Sequence, residues 1–124
     1  MPRLSPTLQW LAVGCAAAAL ASCPAGQGGG QQSGPAGAAV YASAGCATCH
    51  GPDLAGMPRL GPPLARLKVD WDRAEMIKYL ADPRAYMLGD QRLRDLSADY
   101  TMTMPAVPLS DPDRAALAAW LLEQ

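Results

Sequence analysis

The apolar residues of this chain change rhythm several times, and each change marks a boundary. From Leu8 to Leu20 the chain is almost wholly apolar and alanine-rich, behind a single early positive charge at Arg3. That pattern matches the n-region and h-region of a bacterial export signal, and about 13 apolar residues fall short of the roughly 20 that a spanning helix needs. Pro24 to Pro35, PAGQGGGQQSGP, has no periodicity and no β-branched or aromatic residue, so it cannot bury enough surface to offset its ordering entropy. It reads as a flexible tether spanning about 20 Å. Ser33 or Gly34 can cap a helix that starts on Pro35 and runs to Ala44, with Gly37 and Tyr41 on one face. Gly51 to Gly61 is rich in Gly and Pro and predicts an irregular loop.

Asp72-Arg73-Ala74-Glu75 is a capping-box pattern that predicts a helix to about Ala81, halted by Pro83, with Met76, Ile77 and Leu80 as its inward stripe. Tyr86 to Tyr100 is polar with alternating charges and supports a solvated loop with room for one short helix. Ser110-Asp111-Pro112-Asp113 then caps a last helix to about Leu122, on which Leu117, Trp120 and Leu121 recur at i, i+3, i+4. Every element with a period is helical, so the fold class is all-α.

Length allows one domain, and the organisation is an export signal over residues 1–22, a tether over 23–35 and a folded unit over 36–124. A unit that small, without a single Phe, gains from an internal apolar filler. Beyond Arg3 the chain carries nine basic against eleven acidic residues, a net −2 with no basic stripe, which argues against a nucleic-acid partner.

The chemistry concentrates in Cys46-Ala47-Thr48-Cys49-His50. A CxxCH run is a covalent haem site: the thiols add to two vinyl groups and the imidazole becomes the proximal iron ligand. A redox dithiol would want a βαβ pattern around it and a zinc site would want two further ligands, and neither is in the sequence. A haem-free copper-handling protein using Cys46, Cys49, His50 and methionines is a further rival. Cys23 has a different explanation. Leu20-Ala21-Ser22-Cys23 resembles a lipobox, in which the cysteine is acylated and becomes the new N-terminus. Ala19-Leu20-Ala21 also fits ordinary signal cleavage, and Cys15 is a weaker lipobox. Because haem is attached outside the cytoplasm, the export signal and the CxxCH support each other.

Gly37, Tyr41, Cys46, Cys49 and His50 together resemble the N-terminal helix and haem site of class I cytochromes c. Two later runs extend the resemblance: Gly61-Pro62-Pro63-Leu64, and Met104-Pro105 shortly before the final amphipathic helix. It implies a cytochrome c fold of three to five helices around one covalently bound haem c. It further implies that the Pro62 carbonyl accepts from the second nitrogen of His50, that Met104 is the axial ligand opposite His50, and that Trp120 meets Gly37 and Tyr41. Met102 competes with Met104 from the same loop, whereas Met57 lies too near His50 in sequence to cross to the other haem face. Trp71 can fill the haem-edge core or donate its indole N–H to a propionate.

The implied function is one-electron transfer, not enzymatic catalysis, by a His/Met monohaem cytochrome on the outer side of the cytoplasmic membrane. A lipid on Cys23 would tether it there, with a soluble periplasmic form as the alternative. Its partners would be redox proteins engaged through a transient interface. The alternatives are the cytochrome subunit of a larger oxidoreductase, or a gas- or peroxide-reactive haem protein if Met104 does not bind iron.

Overall fold

The structure, a computed structural model, describes residues 35–124. The signal reading of residues 1–22, the lipid site at Cys23 and the tether ahead of Pro35 lie outside the described residues. Among the described residues there are six α-helical segments, no strand, and one isolated bridge between Met57 and Gly61. The segments are α1 (Pro35–Ser43), α2 (Ala47–His50), α3 (Arg73–Ala81), α4 (Pro83–Leu88), α5 (Gln91–Ser97) and α6 (Asp111–Leu121), with a 3₁₀ turn at Leu67–Val69. None of these is long and apolar enough to cross a membrane.

Local chemistry accounts for where the helices begin. Asp72 accepts from the Glu75 N–H at 2.8 Å while Glu75 accepts from the Asp72 N–H at 3.0 Å, so the capping box closes and α3 starts on the next residue. Ser110 accepts from the Asp113 N–H at 3.2 Å and Pro112 stands in the first turn of α6, where its missing N–H costs nothing.

The sequence reading of Tyr86–Tyr100 as a solvated loop needs correction, because two short helices, α4 and α5, fill the stretch from Pro83 to Ser97. Each has an aspartate cap: Asp82 accepts from the Ala85 N–H at 3.0 Å and Asp90 from the Leu93 N–H at 3.2 Å. Pro83 therefore acts twice, ending α3 and opening α4.

The main helix pair is α1 on α6, and α3 packs on α6 from another side while leading through α4 to α5. Tyr41, Leu54, Met76, Leu80, Leu117, Ala118 and Leu121 form the core between them. The close approach of α1 to α6 depends on Gly37, because a Cβ there would collide with Trp120 Cβ and lie 2.6 Å from the Ala116 carbonyl oxygen. Tyr41 and Trp120 pack beside it with their rings tilted by 51° and centroids 5.3 Å apart.

Candidate functional site

The one turn of α2 sets the site. Cys46 caps it, Cys49 and His50 lie three and four residues on, and the His50 N–H bonds the Cys46 carbonyl at 3.0 Å. That spacing keeps all three residues within one turn of the chain. Gly51, at φ 77, turns the chain away directly after His50, in a conformation that suits glycine. Tyr41 anchors this corner to α1 by donating its hydroxyl to the Gly51 carbonyl at 2.6 Å.

His50 is the one buried polar residue among the described residues. Its Nδ1 lies 2.8 Å from the Pro62 carbonyl oxygen, so Nδ1 carries the proton and donates. Gly61 makes this possible: it passes so close beneath Cys49 that a Cβ would stand 2.7 Å from the Cys49 carbonyl oxygen. With Nδ1 engaged, Nε2 is left as a lone-pair donor that no protein group occupies among the described residues.

Two adjoining cavities meet at His50. One is lined by Cys46, Trp71, Met76 and Leu80 with the core leucines. The other is lined by Cys49, Leu60, Met87 and Met102. His50, Pro62, Tyr79, Leu93, Leu96 and Met104 line both. Each cavity thus receives one of the two cysteines, and His50 and Met104 bound the space they share. The imidazole and thioether bordering the shared space, the two unpaired thiols and the apolar walls together fit a haem.

The candidates separate by position. Met104 is half-buried against the core and reaches both cavities, whereas Met102 is 52% exposed and reaches only the Cys49 side. Met57 lies on a separate surface groove with Ala55 and Arg59. Trp71 lines the Cys46 cavity where it opens into a polar groove bearing Arg66 and Arg92, and its indole N–H has no protein acceptor among the described residues. Arg92 lies over the Trp71 ring at 4.8 Å and bonds the Asp70 carbonyl at 2.8 Å, holding the indole in place.

Tyr79 is the site residue that sequence reasoning missed. It lines both cavities, packs 5.1 Å from Trp71 between ring centroids, and burial pushes its phenol up to about 12. The available signal is its spacing, since it follows Met76 by three residues on a helix whose apolar stripe in the sequence is Met76, Ile77 and Leu80.

The rival chemistries fit less well. Burial pushes the Cys46 thiol above its ordinary value and Cys49 adds to the rise, against a smaller opposing pull from a backbone hydrogen bond, whereas a redox dithiol wants a depressed thiol. Among the described residues no three His, Cys, Asp or Glu side chains gather as a metal ion would need.

Comparison with protein families matches residues 35–124 to the family described as Cytochrome c. No curated protein and no solved structure matches the chain.

Proposed function

The chain belongs to the cytochrome c family, whose members carry covalently attached haem c and transfer electrons, and from that membership we propose a monohaem one-electron carrier with iron ligated by His50 and Met104. The observation that carries the reading is the pair of cavities bounded in common by the His50 ring and the Met104 side chain, with one cysteine on each.

Bound haem c supplies the one-electron Fe(III)/Fe(II) couple. Pro62 fixes the tautomer and orientation of His50 and raises the basicity of Nε2. The Met104 thioether is a soft donor that favours the reduced state and raises the potential. Met76, Leu80, Leu93 and Leu117 exclude water from the walls, and Tyr79 keeps its phenol neutral there. Trp71 offers its indole N–H to a propionate at the polar end. With His50 and Met104 both committed to iron, no ligand position would be left for a substrate, which favours a carrier over an enzyme.

No Asp, Glu, Lys or Arg lines the cavity that Cys49 shares with Leu60 and Met102, so electrons would pass to redox partners across an uncharged, half-exposed rim. Residues 1–22 would direct export and Cys23 would carry the lipid that holds the domain, on a tether over 23–35, at the periplasmic side of the membrane. Intact mass spectrometry of membrane-extracted protein reads haem attachment, cleavage at Cys23 and acylation together.

The decisive test of ligation is the ferrous spectrum with added carbon monoxide. The wild-type protein is expected to stay six-coordinate and bind the gas weakly, and Met104→Ala to bind it readily. Ready binding by the wild-type protein would favour the gas- or peroxide-reactive alternative.

A further inference from the structure

Among the described residues, the loop that carries Met104 is hydrogen-bonded to the rest of the fold only at its two ends. At one end Thr101 gives both of its donors to a single acceptor: its N–H and its hydroxyl each lie 2.9 Å from the Arg59 carbonyl oxygen. At the other end Arg114 donates to the Leu109 carbonyl at 2.9 Å. Among the described residues, no backbone N–H from Met102 to Pro108 donates to a protein acceptor. Met104 is therefore held in its half-buried place by packing against the core and by an anchor three residues before it.

The far side of that anchor belongs to the loop of the other axial residue. Arg59 sits in a turn closed by the Leu60 N–H to the Met57 carbonyl at 3.0 Å, and the Met57–Gly61 pair exchanges hydrogen bonds at 3.0 and 3.1 Å. Its φ of 64 is a left-handed conformation that a side chain other than glycine rarely adopts, and it persists only where surrounding structure holds it. Directly after Gly61 comes Pro62, whose carbonyl accepts from His50. One short, hydrogen-bonded turn thus connects the partner of His50 to the anchor of the Met104 loop.

We infer that Thr101 is a positioning residue for the sixth ligand: its double hydrogen bond to Arg59 holds the Met104 loop at a fixed reach from the His50 side and so keeps the thioether on iron. The inference rests on the His50/Met104 reading. The hydroxyl bond is one of two, and a single hydrogen bond of ordinary strength changes an equilibrium by roughly 3- to 10-fold. Removing it raises the population with Met104 released by that factor, and carbon monoxide, which binds only that population, gains apparent affinity in proportion.

The experiment uses full-length holoprotein as wild type, Thr101→Val, Thr101→Ser and Asp82→Ala. Thr101→Val is expected to raise the carbon monoxide affinity of the ferrous protein roughly 3- to 10-fold and to lower the reduction potential. Thr101→Ser, which keeps the hydroxyl, is expected to restore both. Asp82→Ala removes a helix cap away from the loop and is expected to lower the melting temperature without moving either readout. A Thr101→Val protein with wild-type affinity and potential, in a wild type that resists carbon monoxide, would overturn the anchor alone. A wild type that already binds the gas readily would overturn the anchor and the His50/Met104 ligation together.

Discussion

Tyr41 and Tyr79 are phenols set where a negative charge is least welcome. Burial pushes Tyr41 up to about 12, with Asp53 and, before haem is attached, the Cys46 thiolate adding to the rise, and burial alone does the same for Tyr79. Below the ordinary value of 10.0 both rings are neutral whether the chain is folded or not, so they contribute nothing to pH dependence there. Between 10.0 and about 12 the unfolded chain releases these protons while the folded chain keeps them, so stability falls as pH rises through that window. Urea midpoints of the holoprotein are expected to hold steady below the window and decline across it, and Tyr41→Phe is expected to flatten part of the decline. Single residues were unequally visible in the sequence. Cys46, Cys49 and His50 announce themselves because their chemistry needs fixed spacing within one turn, and Pro62 follows from a short run after them. Tyr79 did not, because an aromatic at helical spacing carries no mark that says which neighbours it will face.

At the scale of elements, the packing of α1 on α6 turns on Gly37. A methyl group there would press on the Ala116 carbonyl, which is backbone and cannot swing aside as a side-chain tip could. Gly37→Ala gains about 0.5–1 kcal/mol of helix preference but incurs an overpacking penalty of about 1–3 kcal/mol, leaving a net loss expected near 1–2 kcal/mol. Guanidinium unfolding checks this as a lower midpoint with an unchanged slope. The long helices were legible because each joins a cap to an apolar stripe: Asp72 with Met76 and Leu80, Ser110 with Leu117 and Leu121. Helices α4 and α5 were not. Leu93 is buried while Leu88 is 80% and Leu96 41% exposed, so no stripe repeats often enough to read. Their position comes instead from aspartate caps and from Arg92 gripping Trp71 across a span of the chain.

For the molecule as a whole, the cofactor is part of the core. Met76, Leu80, Leu117 and Leu121 belong both to the packed cluster and to the wall of the Cys46 cavity, so one side of each depends on what fills that space. In a small domain without Phe, those contacts are a large share of what holds it. The double variant Cys46→Ser, Cys49→Ser, which cannot attach haem, is expected to show no haem stain on a denaturing gel. It is also expected to lose much of its far-UV helical signal and its cooperative melt, because binding free energy here is also folding free energy.

The family and the haem attachment were determined by the sequence itself, because covalent chemistry demands particular residue types at short, fixed separations. The order of the main helices was determined there too, since caps and apolar periods act over a few residues. Tertiary structure decided what depends on distance across the fold: that Met104 reaches both cavities while Met102 reaches one, that Tyr79 faces the site, and that Thr101 is tied to Arg59. Those relations join residues far apart along the chain, and they are fixed only when burial of the shared core draws the two sides together.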